Sequence, residues 1–240
     1  MASGAVVPGV SGVGAGGATG TGPLRRASSG AQVAAWIRAE ILRGALRRGD
    51  RVTQEDVARE LGVSRIPVRE ALVALDLEGW ITHEPHRGAF VRGVDAVWVQ
   101  DHYDVLGRLY GLAARRAAER GTLAERTELV ARQREHDAAA DLDAFDAHNH
   151  TLLQHVLAMA RSPRLVTALR STGSVVPGNF FAAVPDTVAA QRDGIRATVD
   201  AIAAGDPSGA DRALDDLIAR QGQAVVALLQ ARGVLETDEG

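Results

Sequence analysis

Apolar positions recur with a helical period along most of the chain. Over Gln32 to Arg43, Val33, Ile37 and Ile41 form one stripe with Trp36, and Gly44 follows as a stop. A second helix is predicted from Thr53, whose hydroxyl can cap it, with Asp56 in the place of the capping-box acid. Val57, Ala58 and Leu61 give it a buried face, and Gly62 ends it with the left-handed residue that a tight turn needs. A third helix starts at once behind Ser64 as N-cap. Pro67 falls in its first turn, where a missing N–H is no loss, and Val68, Ala71, Leu72 and Leu75 turn inward before Gly79 closes it. The period then changes: Trp80 to Glu84 and Ala89 to Arg92 read as two short strands around Pro85-His86-Arg87-Gly88, a β-hairpin.

From Val97 onward the helical period returns with no convincing strand. Helices are predicted over Val97 to Arg120, Leu123 to Ala139, Leu142 to Ala160, Pro163 to Thr172, Thr187 to Ala204 and Pro207 to Leu229. Ser162-Pro163 and Asp206-Pro207 each place a capping residue before proline at a first helical position. Gly173 and Pro177-Gly178 mark a loop, with Asp186 as the cap of the next helix. Short links between six helices imply an antiparallel bundle. The fold class is therefore mainly α: a winged helix-turn-helix of three helices and a hairpin wing, then an all-α antiparallel bundle. The division is 1–29 as a Gly-rich disordered tail, 30–94 as the winged helix, 95–232 as the bundle and 233–240 as a flexible C-terminus.

Composition narrows the chemistry. The 240 residues contain no cysteine, which excludes disulfides, thiolate metal sites and cysteine nucleophiles. Neither a secretory signal nor an apolar run of about 20 residues appears, so no membrane role and a cytoplasmic location are expected. The formal net charge of −3 conceals an asymmetry: residues 24–94 carry 12 Arg against 9 acids, and the remainder carries 15 Arg against 21 acids. A basic first half suits contact with a polyanion, and an acidic second half does not. Neither GxSxG, nor a P-loop, nor a dinucleotide fingerprint is present, so an enzyme is not expected.

The solvent face of the third helix carries Arg65 and Arg69, one turn apart and on the same side. Charged faces of this kind are usually only solvated. Their setting alters that, because a capped basic helix after a Gly turn, followed by a hairpin tipped with His86 and Arg87, is the plan of a winged helix-turn-helix. Such arginines can reach guanine O6 and N7 in a major groove, the helix N-terminus with Ser64 can meet a phosphate, and the wing can enter a minor groove. The string Gly49-Asp50-Arg51-Val52-Thr53-Gln54-Glu55-Asp56-Val57-Ala58, then Leu61-Gly62-Val63-Ser64-Arg65-Ile66-Pro67-Val68-Arg69-Glu70-Ala71-Leu72, resembles the GntR family of bacterial transcriptional regulators. Leu75, Glu78-Gly79-Trp80 and Arg87-Gly88 continue the match in register. The resemblance implies a homodimer on a pseudo-palindromic double-stranded DNA operator, with Ser64, Arg65, Pro67, Arg69, His86, Arg87 and Gly88 at the contact. Some relatives place a base-reading Arg where this chain has Glu55, so base reading should rest on Arg65 and Arg69.

The second half resembles the FCD domain, the helical dimerisation and effector-binding domain of the FadR-like branch of that family. Gly111-Leu112-Ala113-Ala114-Arg115-Arg116-Ala117-Ala118, Ser162-Pro163-Arg164-Leu165 and Ala201-Ile202-Ala203-Ala204-Gly205-Asp206 carry the likeness. Many FCD domains hold a divalent metal through a carboxylate or amide and three His. Registered on this chain, those positions are Asn149, Leu153, Ile195 and Leu217, while Leu106 and Tyr110 stand where relatives place an Arg and a Glu. Three aliphatics in place of imidazoles predict no metal and no other cofactor, and a small, largely apolar effector whose polar end meets Tyr103, Tyr110, Asn149 or His150. Asp146 and His150, beside His148 and His155, form a rival ligand pair that lacks completing donors. A second possibility is a constitutive dimeric DNA-binding regulator with a filled bundle.

Overall fold

The structure is a computed structural model that describes residues 29–172, 175 and 180–235. The expectations for a disordered tail at residues 1–28, for the loop at Gly173 and Pro177-Gly178, and for residues 236–240 lie outside the described residues. The N-terminal half runs α1 (Ser29–Leu42), β1 (Arg51–Val52), α2 (Gln54–Leu61), α3 (Arg65–Leu77), β2 (Ile81–Glu84) and β3 (Gly88–Val91). Helix α1 begins three residues before the predicted Gln32, so Ser29 is helical rather than part of the tail.

Thr53 caps α2 as expected, its hydroxyl accepting from the Asp56 N–H at 3.1 Å, and Gly62 takes φ 64° at the other end. Asp56 does not complete a capping box. One methylene shorter than Glu, it accepts from the Thr53 hydroxyl at 2.5 Å instead of reaching back to the Thr53 backbone. Val33, Ile37 and Ile41 of α1, Val57 of α2 and Val68, Leu72 and Leu75 of α3 close over one core. A strap crosses it: Arg38 of α1 donates to both oxygens of Glu78, at the end of α3, at 2.5 to 3.0 Å. The wing has three strands in the order β1-β3-β2, all antiparallel, with Val52 opposite Ala89 and Glu84 opposite Gly88. β1 was not foreseen, because two residues are too few to show a period.

Asp95 caps the next helix, its carboxylate accepting from the Trp98 N–H at 2.7 Å. The bundle then runs α4 (Ala96–Arg120), α5 (Leu123–Asp137), α6 (Leu142–Met159), α7 (Pro163–Thr172), α8 (Phe180–Ala183), α9 (Val188–Ala204) and α10 (Pro207–Ala231). The six predicted helices are present within about two residues at each end. The one-turn α8 and a 3-10 turn at Pro185–Thr187 are additional, and Asp186 sits inside that turn rather than capping α9. Thr122 and Glu125 form a full capping box on α5, and the Asp206 side chain caps α10 over Pro207. Helices α4 and α10 form the spine of the bundle. Gly107 and Gly111 let them approach so closely that a Cβ on Gly111 would lie 2.9 Å from the Asp211 carbonyl oxygen.

The two halves share one continuous core. Trp80, the residue after Gly79, packs edge-to-face on Trp98 of α4 with ring centroids 4.8 Å apart. The ladder continues through His102 to Tyr103, which lies against Gly222 of α10. Burial holds His102 well below an ordinary imidazole, at about 4. No helix among the described residues is long and apolar enough to cross a membrane.

Candidate nucleic-acid interface

Ser64 stands at the N-cap of α3 in extended conformation, φ −71° and ψ 165°, yet its hydroxyl makes no capping hydrogen bond. The expectation of a side-chain cap is thus corrected, and Pro67 removes one of the two possible partners. An N-cap hydroxyl bonds the N–H of the second or third helical residue, and the third here is proline. The first turn of α3 is left with Ser64, Arg65 and Ile66 exposed and Pro67 half-buried. Ile66, at 71% exposure, is a large apolar side chain that sequence reasoning passed over. Arg69 lies exposed one turn on, while Val68, Ala71 and Leu72 fix the opposite face in the core.

The wing borders the same cleft as the start of α3 through His83, Gly88 and Ala89. His86 occupies the turn with φ 63°, a left-handed conformation that few side chains adopt, and is exposed with Pro85 and Arg87. Arg87 pairs with Glu84 across the turn, and its guanidinium lies 5.4 Å from the Phe90 ring centroid. Gly88 has φ 110° and faces Arg51, whose guanidinium nitrogens would lie 3.1 and 3.3 Å from any Cβ placed there. Glycine is needed at that position on both counts.

Between the wing and the start of α3 lies a cleft of about 270 Å3, lined by Arg51, Gln54, Glu55, Arg65, His83 and Gly88, among others. Arg65 is paired there with Glu55 at 3.2 Å, both side chains being about two-thirds exposed (67% and 64%). Arg51 is a further cation at this face that the sequence pattern did not single out, since β1 is too short to assign it a side. The cleft brings Arg51 and Arg65 together beside Gly88 of the wing, and Arg69, His86 and Arg87 are exposed nearby in sequence, so a polyanion can meet the cleft and a base edge the α3 N-terminus.

In the bundle the six predicted pocket residues are distributed unevenly. Ile195 and Leu217 are fully buried, and Leu217 lies so close to Gly194 that a Cβ there would sit 2.6 Å from its Cδ1. Leu106, Tyr110 and Leu153 are partly buried against the core, and burial raises the Tyr110 phenol above its ordinary range. Asn149 is buried and accepts from the Gln191 amide at 2.9 Å, and Gln191 in turn accepts from Gln221 at 2.8 Å. This amide chain ties α6, α9 and α10 together. Neither Gln191 nor Gln221 was singled out from sequence, because only the folded bundle brings residues 149, 191 and 221 together. Cavities of about 480 and 400 Å3 open elsewhere in the bundle, one beside Leu157, Pro163 and Val166 and one beside Val97, Gln100 and Val226.

The positions Asn149, Leu153, Ile195 and Leu217 do not fit a divalent metal, since Asn149 is their one oxygen donor, that oxygen accepts from Gln191, and the other three side chains are aliphatic. Of the histidines beside the rival pair, His148 Nδ1 lies 2.9 Å from the Glu135 carbonyl and His155 Nε2 3.2 Å from that of Glu125. Burial raises the Asp146 carboxyl, and His150 opposes that shift. No cluster of three or more His, Asp or Glu suited to a metal occurs among the described residues.

Residues 29–91 match the family described as bacterial regulatory proteins, gntR family, and residues 101–220 match the FCD domain. An uncharacterised HTH-type transcriptional regulator of Mycobacterium tuberculosis is 35% identical over 150 residues, which span 62% of this chain and 62% of the relative. The probable D-xylose utilization operon transcriptional repressor of Paenarthrobacter nicotinovorans is 29% identical over 208 residues, 82% of this chain and 88% of that one. The solved structure of Lar, which controls expression of the Listeria monocytogenes agr system, superposes with a TM-score of 0.57 at 19% identity, covering 82% of this chain and 96% of that one. The relatives are transcriptional regulators rather than enzymes. With a GntR DNA-binding unit followed by an FCD domain that alone spans half of its length, the chain belongs to the GntR family of transcriptional regulators.

Proposed function

We propose that the chain is a homodimeric, sequence-specific DNA-binding regulator that reads guanines with Arg65 and Arg69 and holds phosphate or minor groove with His86 and Arg87. The observation that carries this reading is the α3 N-terminus, where exposed Arg65 lines one cleft with Arg51 and Gly88 of the wing and Arg69 is exposed one turn on. One such unit offers few base contacts, and a two-fold dimer doubles them on a pseudo-palindrome. The test is selection from a pool of randomised duplexes by the full-length protein, followed by titration of the selected duplex. Arg65→Ala or Arg69→Ala should cost about 1–3 kcal/mol there and flatten preference at one guanine per half-site. Arg87→Ala should weaken selected and mixed-sequence DNA evenly. Full affinity in Arg69→Ala would remove α3 from the recognition role.

For the bundle, the reading is a metal-free domain that takes a small, largely apolar effector. The xylose in one relative's name is a polyol that needs several hydrogen-bonding partners, and Leu153, Ile195 and Leu217 offer none. A constitutive regulator with a filled bundle is the second reading, and the contact of Leu217 with Gly194 favours it. Thermal shifts against acyl compounds, sugar acids, zinc and nickel separate the two. Stabilisation by an acyl compound supports a sensor, and no response to any of them supports the filled bundle.

A further inference from the structure

The pair between Glu55 and Arg65 has a bearing on how bases are chosen. Of the two acids in the first turn of α2, Asp56 is committed to Thr53 and Arg59, while Glu55 reaches across to the first residue of α3. It lies in the cleft that also holds Arg51 and His83, open to solvent on the face where DNA would sit. We propose that Glu55 is a specificity-determining residue, one that holds the Arg65 guanidinium so that it favours a guanine edge and disfavours a phosphate. The proposal rests on the reading that α3 faces DNA.

The donor arithmetic permits both partners at once. A guanidinium has five N–H donors, and a bidentate contact to guanine O6 and N7 uses two. The carboxylate can therefore keep its edge while the base takes another. An arginine already held loses less side-chain freedom on meeting its base. A phosphate sees something different. Affinity for DNA of any sequence grows with each cation that displaces counterions, and Arg65 paired with Glu55 presents little net charge. Glu55 thus lowers binding to random sequence more than binding to the chosen one. A glutamate is also poorly placed for contact with phosphate itself, which distinguishes this position from a basic residue there.

The experiment compares wild type, Glu55→Gln, Arg65→Ala and the double variant, all full length, with thermal unfolding confirming that each folds. Each protein first selects from a pool of randomised duplexes. Then the wild-type consensus duplex and a mixed-sequence duplex are titrated across 50–200 mM salt, about the range over which such contacts are resolved. Glu55→Gln should bind the mixed-sequence duplex more tightly and steepen its salt dependence by about 0.9 in log–log slope, one phosphate's worth. Its preference for the consensus should fall roughly tenfold, with the loss concentrated at the guanine that Arg65 reads. In the Arg65→Ala background the same substitution should have no such effect. An unchanged preference and slope in Glu55→Gln would overturn the proposal, as would an effect that survives without Arg65. If Arg65→Ala selects the wild-type consensus at wild-type affinity, the placement of α3 on DNA fails first and takes this inference with it.

Discussion

Replacing Leu217 by Ala probes whether the bundle is filled between α9 and α10. Leu217 is 2% exposed, and its branched end abuts Gly194 of α9, beside the fully buried Ile195. Truncation removes three carbons from a packed site whose opposite wall is a glycine, with no side chain of its own to move inward. Substitutions of this kind cost about 2–5 kcal/mol, the upper part of the range applying where the site cannot collapse. For a chain of this size each kcal/mol lowers the melting temperature by about 2–4 °C. Chemical denaturation followed by circular dichroism would give the difference at constant slope. Gly194→Ala should also destabilise, because its Cβ would lie 2.6 Å from Leu217 Cδ1, and the double substitution should cost less than the two single costs added together. A Leu217→Ala cost below about 1 kcal/mol would refute the reasoning, because a side chain that lines open space leaves little to lose.

Gly111→Ala should destabilise by about 1–3 kcal/mol, measured the same way, since the clash is with the Asp211 backbone carbonyl and no rotamer relieves it. His102, held near 4 against an ordinary 6.5, binds a proton more readily in the unfolded chain. Stability attributable to it is therefore full above about pH 6.5 and falls as pH drops toward 4, and His102→Gln should flatten that part of a pH–stability curve. Removing the strap with Arg38→Ala should leave Glu78 without its half-buried partner and lower the denaturation midpoint modestly, by about 1 kcal/mol. An unchanged midpoint would show that the strap is incidental.

Local chemistry made much of this fold legible. Gly62 and Gly79 take the left-handed backbone that their positions after apolar stripes implied, and Thr53 caps α2 through its own side chain. Ser64 shows where such rules mislead, because the proline that recommended the helix start also removes one of its two capping partners, and no side-chain cap forms. Arg65 and Arg69 were legible as one exposed face because they share one helix, where spacing fixes their side. The Glu55–Arg65 pair and the Asn149–Gln191–Gln221 chain were not. Each spans separate helices, and only packing fixes which polar groups meet. Asp186 failed as a cap because a 3-10 turn takes up its residue before α9 begins.

The edge-to-face contact of Trp80 and Trp98 has a spectroscopic consequence. The sequence has three tryptophans, and two of them form this pair where the DNA-binding unit meets the bundle. Indoles 4.8 Å apart at an interplanar angle of 67° couple their transitions, so the near-ultraviolet dichroism of the unlabelled protein should be dominated by the joint. A change in the angle between the two halves would rotate one chromophore against the other. The molecule thus carries its own optical goniometer at the joint, and Trp36, which lies on α1, takes no part in the pair.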